Sequence, residues 1–229
     1  SRTALGLSFD LLEHYQEENA FRVEKIEAKV DRYEDELGTY LIKLNQKDLS
    51  LEDSHSLSIM LHCIGDFERI SDHALSIMKS AREMAAKNAV FSQQAVQELH
   101  IMEKAVGDIV DKAYTVFATQ NITLAEEIEP LEEVIDELSR ELKRRHINRL
   151  RAGECTIEMG FILSDITTSL ERIADHCSNI GVCVTQVRED LYDTHSHLDG
   201  VKNAPGNLFR KELETAREAY VLPAVVNKG

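Results

Sequence analysis

Over its first 204 residues the chain carries a single proline, Pro130; Pro205 and Pro223 lie near the end, and only 10 glycines are spread over 229 residues. Strand-rich folds need a turn every ~8–12 residues, usually marked by Gly, Pro or Asn-Gly. A chain with so few breakers has nowhere to place those turns. This argues against an all-β or alternating βα architecture and for an all-α one.

The 3.6-residue period of apolar positions predicts a set of long helices. The first covers 3–18, with Leu5, Phe9, Leu12 and Tyr15 on one stripe. Asn19 reads as the N-cap of a second, to about residue 46, with Val23, Ile26, Val30, Tyr33, Leu37 and Leu41 inward. Ser50-Leu-Glu-Asp53 resembles a capping box that opens a third helix reaching about residue 88. Ser92 caps a fourth, ending near Asn121. Thr123-Leu-Ala-Glu126 is a second capping box, with Pro130 early in the next helix or restarting it with Glu129 as the last loop residue; that helix ends at Ala152-Gly153. A sixth covers 156–190, and a short helix near 208–220 comes after a loop.

Charge narrows the function classes. The chain has 26 basic and 41 acidic residues, a formal net of −15. Nucleic-acid binding depends on neutralising phosphates with Lys and Arg, so no nucleic-acid partner is expected. The same field repels anionic membrane surfaces and free phosphorylated ligands, and attracts cations. No apolar run approaches the ~18 residues of a membrane span, so no membrane insertion is expected, and no signal peptide is legible. The chain starts at Ser1 rather than Met and reads as a piece of something longer. Cys63, Cys155, Cys177 and Cys183 form no C-x-x-C pair and read as reduced thiols of a helical core in a cytoplasmic protein.

An internal repeat organises the chain. Glu68-Arg-Ile-Ser-Asp72-His73 matches Glu171-Arg-Ile-Ala-Asp175-His176 at five of six positions, at an offset of 103. Upstream, Glu27-Ala-Lys-Val-Asp31 matches Glu132-Glu-Val-Ile-Asp136 at an offset of 105. Two nearly equal offsets, each mid-helix, point to duplication of a three-helix unit. We expect two tandem three-helix bundles, residues 1–90 and 91–190, and then a tail over 191–229 that contains the short helix.

Each Glu-x-x-x-Asp places two carboxylates on one helix face. With 41 acidic residues, about seven such pairs arise by chance, so one alone means a solvated face. The duplication changes that weighing, because consecutive long helices lie antiparallel. If Glu27 and Asp31 face Glu68 and Asp72, and Glu132 and Asp136 face Glu171 and Asp175, four carboxylates converge in each half. At ~5 Å each unscreened pair repels by roughly 3 kcal/mol, which calls for bound cations or raised pKa values. Carboxylate-only ligation suits Mg, Ca, Mn or iron. Asn179, four beyond Asp175, extends the second face with an amide oxygen; Ser76 takes that place in the first half. Ile70 and Ile173 point to the core, and Arg69 and Arg172 are placed to pair with neighbouring acids. Salt-bridged bundle surface is the alternative reading of the same residues.

His73 and His176 sit a helical step of 100° from the preceding Asp and read as structural, while His195 and His197 fall in the tail. Glu-x-x-His occurs once, at Glu52–His55 and outside the repeat, whereas a ferritin-type oxidase needs it on two helices. P-loop, dinucleotide, nucleophile-elbow and zincin signatures are missing too, and the chain is read as a non-enzyme.

Glu68-Arg-Ile-Ser-Asp-His-Ala74 and Leu170-Glu-Arg-Ile-Ala-Asp-His-Cys-Ser-Asn-Ile180 resemble the paired signatures of the PhoU family. Ser71 and Ala174 stand where that family commonly has Gly. The resemblance implies two similar three-helix bundles whose E/D-x-x-x-D motifs bind multinuclear metal clusters, usually iron or zinc. It carries the ligand role to Glu27, Asp31, Glu68, Asp72, Glu132, Asp136, Glu171, Asp175 and Asn179. The tail, with Phe209-Arg-Lys-Glu-Leu213 and Tyr220-Val-Leu-Pro223, is similar to the PhoU-like region that ends bacterial sodium–phosphate cotransporters. The resemblance also implies regulation of phosphate uptake at the cytoplasmic face of the inner membrane. Its partners would be the membrane portion of a phosphate transporter or a phosphate-sensing signalling protein, with homodimerisation left open. The rival functions are a metal-free helical scaffold and a dinuclear metal hydrolase of phosphate esters.

Overall fold

The computed structural model describes residues 1–189 and 208–224, and among them there is no strand. The helices are α1 (Arg2–Glu13), α2 (Glu17–Leu44), α3 (Leu51–Lys87), α4 (Gln93–Thr119), the single turn α5 (Ile122–Ala125), α6 (Ile128–Arg151), α7 (Ile157–Glu189) and α8 (Leu208–Ala219). No helix among the described residues is long and apolar enough to cross a membrane. His195 and His197 lie outside the described residues.

Several boundaries are set by caps legible in the chain. Ser50 Oγ accepts from the Asp53 N–H at 3.1 Å and Ser92 Oγ from the Ala95 N–H at 3.3 Å, each satisfying a donor that the first turn leaves open. Thr156 Oγ1 does the same for Met159 at 3.2 Å. Gly153 takes the left-handed conformation (φ +73°) that ends α6, a region where a Cβ is penalised.

Other boundaries differ from expectation. The first helix stops at Glu13 rather than 18, because His14 leaves the helical region (φ −135°, ψ 83°), and α2 starts at Glu17 with Gln16, not Asn19, as its cap. Glu17 and Glu18 then sit in the first turn, where the helix dipole favours acids. Asn121, not Thr123, caps the segment before α6: its Oδ1 accepts from the Leu124 N–H at 3.2 Å. The helix then restarts at Ile128, which places Glu129 and Pro130 inside the first turn rather than leaving Glu129 in the loop. Proline is tolerated there because its missing N–H has no intrahelical acceptor anyway.

Two three-helix bundles result. In one, α1 and α2 pack on α3; in the other, α4 and α6 pack on α7. The longest helices, α3 and α7, join the bundles along their lengths. Asp66 meets Asn179 while Lys87 reaches Glu158, so the two run antiparallel. Ile70 and Ile173, the repeat-related residues expected in the core, are both fully buried there. Cys63 and Cys177 are buried and Cys155 and Cys183 half-buried, all as free thiols. At 12 residues α1 covers only the near part of the 28-residue α2. Val23 is fully buried, whereas Tyr33 and Leu37, expected inward, are exposed because α1 does not reach them.

The second bundle carries an addition. Helix α8 lies on α6, with Arg217 Nε 2.9 Å from Glu137, and the Tyr220 hydroxyl donates to Asp108 of α4 at 2.7 Å. Arg145 donates to the Pro223 carbonyl at 2.6 Å and to Glu98 at 3.1 Å. Glu98 is fully buried and also accepts from Arg149 at 2.8 Å, so two guanidinium groups compensate a charge that the interior would otherwise reject.

Candidate metal centres

In the first bundle the expected quartet is brought near Asp72, but no three of its ligand oxygens lie within 4.8 Å of one another. Glu27 and Asp31 come from one face of α2, Glu68 and Asp72 from the facing side of α3. Burial, the charges of Asp72 and Asp31, and a hydrogen bond shared with Asp72 all raise the pKa of Glu27. Glu68 is pushed up to about 7 by burial first, then by Asp72, while Arg69 opposes the rise. Arg69 lies 3.4 Å from Glu68 and 3.2 Å from Asp72, the pairing with neighbouring acids that its place beside Glu68 suggested. Asp31 is exposed, and the site is open on that side.

The second bundle concentrates more charge in a deeper place. Ligand oxygens of Glu132, Asp136 and Asp175 all lie within 4.8 Å of one another, and those of Glu129, Glu132 and Glu133 form a second such group. These residues, with His176, Ser178 and Asn179, line a cavity of about 430 Å³ between α6 and α7. Burial, then the charges of Glu129, Asp136, Glu133 and Asp175, push Glu132 up to about 8. Asp136 is raised by burial and by Glu171 and Asp175. Asp175 is raised by burial despite Arg172, whose guanidinium lies 3.2 Å away. One oxygen of Asp136 is buried and has no hydrogen-bond partner among the described residues.

Two of the expected ligands are differently engaged. Glu171 accepts from Ser139 Oγ at 2.8 Å and from Lys143 Nζ at 3.3 Å, which draws it toward the α6 side. Asn179 directs its amide nitrogen to Asp66 at 3.2 Å, across the bundle interface. That leaves its carbonyl oxygen as the atom to offer a cation. His176 also meets Asp66, at 2.9 Å, and its ring stacks on His73 with centroids 5.8 Å apart. The two repeat-related histidines thus face each other between α3 and α7, while the Asp before each turns outward to its own cluster.

Glu129 and Glu133 are not singled out by the repeat. Their signal is the i, i+3, i+4, i+7 series Glu129, Glu132, Glu133, Asp136, which is one face of a helix. Placing Glu129 in a loop hides that series.

A family model, the PhoU domain, matches residues 1–81 and 99–184, one match on each bundle. The chain belongs to the PhoU family. A phosphate-specific transport system accessory protein PhoU homolog of Deinococcus radiodurans is 23% identical over 182 residues, covering 77% of this chain and 82% of that protein. The PhoU homolog 1 of Thermotoga maritima is 27% identical over 115 residues, 50% of this chain, so the chain spans about half of that relative's length (49%). Among solved structures, PhoU from Pseudomonas aeruginosa superposes with a TM-score of 0.76 at 18% identity, over 82% of this chain and 90% of that one. The phosphate transport system regulatory protein PhoU from Streptococcus pneumoniae gives 0.69 at 21% identity, over 83% and 94%. Both likenesses establish the same helical fold.

The donor set of the second cluster fits a hard or borderline cation. Three carboxylates converge, one with a buried oxygen that no donor among the described residues satisfies, and burial raises the pKa of all three.

Proposed function

We propose that this PhoU-family chain is a metal-binding regulator of phosphate transport that acts through protein–protein contact rather than catalysis. The observation that carries the metal reading is the orphaned Asp136 oxygen beside Glu132 and Asp175. Glu132, Asp136, Asp175 and the carbonyl oxygen of Asn179 would hold an ion in the second bundle, with Glu129 and Glu133 extending the site and Glu171 at its edge. Glu27, Asp31, Glu68 and Asp72 would hold one in the first. All-oxygen ligation suits iron or manganese, with magnesium and calcium as harder alternatives; zinc, borderline in softness, also accepts carboxylates.

A bound multivalent cation would supply positive charge to a chain whose net charge is −15. The residues around it hold the helices in register: Ser139 and Lys143 orient Glu171, and Arg172 orients Asp175. The phosphate-transport role is supported by relatives named as phosphate-specific transport system accessory proteins. The partner would be the membrane portion of a phosphate transporter, including one of the sodium-coupled class, or a phosphate-sensing signalling protein, met at the cytoplasmic face.

Elemental analysis of dialysed protein tests the site. Stoichiometric iron, manganese or zinc in the wild type, depleted in Glu132→Gln/Asp136→Asn, is the expected result. No metal in either sample after reconstitution overturns it in favour of a metal-free scaffold. Phosphate uptake by cells carrying the same variant tests the regulatory role, with altered uptake expected and unchanged uptake contradicting it.

A further inference from the structure

Away from both acidic clusters, α1 and α4 bound two adjoining cavities. One, of about 550 Å³, is walled by apolar residues that include Leu11, Met84, Phe91 and Leu99. The other, of about 510 Å³, continues along the α1–α4 groove past Arg2, Lys104 and Asp108. Glu13, His100 and Glu103 line both and so mark the junction.

Glu103 is the unusual member. It is only 8% exposed and makes no hydrogen bond or ion pair among the described residues. Its neighbours have theirs: Glu13 pairs with His100, Arg2 with Asp111 at 2.7 Å, and Lys104 with Asp108 at 3.4 Å and with the Tyr220 ring. Val96 and Leu99, the other α4 residues on the apolar cavity's wall besides His100, are apolar. A carboxyl among them costs stability unless something compensates it. Burial, with the charges of Glu13 and Asp10 adding to it, pushes Glu103 up to about 8, so the carboxyl keeps its proton near neutral pH unless a cation beside it favours ionisation.

We propose that this cavity binds an amphipathic amine, with its ammonium on Glu103 and its alkyl chain among Leu11, Met84, Phe91 and Leu99. The volume is in the range of small-molecule sites, and an uncompensated acid at the mouth of an apolar chamber selects a cation attached to an apolar body. The two carboxyls that line the junction, Glu13 and Glu103, together with the charge of Asp10 that acts on Glu103, reject an anionic head group.

Calorimetric titration of the full chain with n-hexylammonium chloride, 1-hexanol and sodium hexanoate tests this. Saturable binding of hexylammonium is expected, at least about tenfold tighter than hexanol, with no binding of hexanoate. Glu103→Gln should erase the preference for ammonium over alcohol, and Leu99→Trp, which fills the chamber, should abolish both. Absence of hexylammonium binding, equal binding of hexanol, or a preference that survives Glu103→Gln overturns the proposal. If Glu103→Gln does not fold, binding that persists in Leu99→Trp overturns it. Binding lost with Glu132→Gln/Asp136→Asn but kept in Leu99→Trp would put the ammonium on the acidic cluster and also overturn it.

Discussion

The two halves of the chain carry the same Glu-x-x-x-Asp pairs at offsets of 103 and 105, yet they set those pairs in different surroundings. In the first half the cluster is shallow and flanked by cations. Arg82 ties Glu24 at 2.8 Å, Lys79 acts on Glu27, and Arg69 lies against Glu68 and Asp72. In the second half the position equivalent to Arg82 is Thr185 and that equivalent to Lys79 is Val182. Glu129, the counterpart of Glu24, instead accepts from Ser178 and joins the carboxylates. Duplication supplied two matching sets of carboxylates, and substitutions one or two turns away decided how much unneutralised charge each retains. The second cluster is the one whose electrostatics call more strongly for a cation.

The largest effect expected from breaking this asymmetry lies in the second bundle's support. Glu98→Gln leaves the guanidinium groups of Arg145 and Arg149 without their buried counter-charge and should cost about 3–5 kcal/mol in denaturant unfolding. A loss below ~1 kcal/mol would mean that the second bundle owes little to this network. Next in size is metal affinity. Glu132→Gln/Asp136→Asn should weaken binding at least about a hundredfold, and Glu27→Gln/Glu68→Gln much less. Competition with a chelator reads both, and the reverse ranking would refute the assignment of the stronger site.

The metal-free protein gives a third test. Glu132 titrates near 8 in the fold against about 4.5 unfolded, so the folded state holds the extra proton between those values. Its stabilising contribution is complete below about pH 4.5 and is lost as pH rises through 8. Glu68 behaves alike, with its window ending near 7. Chelator-treated protein should therefore lose stability from pH 5 to pH 8. Glu132→Gln should recover on the order of 2 kcal/mol at pH 8 after allowance for solvent, and Glu68→Gln less. A pH-independent melting temperature in chelator would contradict this. The smallest effect is expected at Arg82→Met. Its ion pairs with Glu17 and Glu24 are partly exposed, and thermal melting should register under ~1 kcal/mol.

Much of this was legible in the chain because helix geometry is local. The lack of prolines, the caps at Ser50 and Ser92, and the four-residue spacing of Glu and Asp depend on neighbours within a turn or two. They placed the long helices and the carboxylates that share a face of each. The exceptions arise where a local signal has a competitor. Tyr33 and Leu37 carry the apolar period of a buried face but remain exposed, because burial depends on the reach of a partner helix. The segment before α6 is capped by Asn121 rather than Thr123, where two polar side chains two residues apart offered rival starts.

By itself, then, the sequence determined an all-α chain, its duplicated unit, and which carboxylates share a helix face, since a period of 3.6 residues is written into the spacing. Only the tertiary structure decided how deep each cluster lies, that Glu129 and Glu133 join one of them, that Glu171 is drawn aside by Ser139 and Lys143, and that Glu103 stands in an apolar wall without a counter-charge among the described residues. Those outcomes depend on which residues from distant parts of the chain exclude water or bring a counter-charge. No spacing along a single helix encodes that.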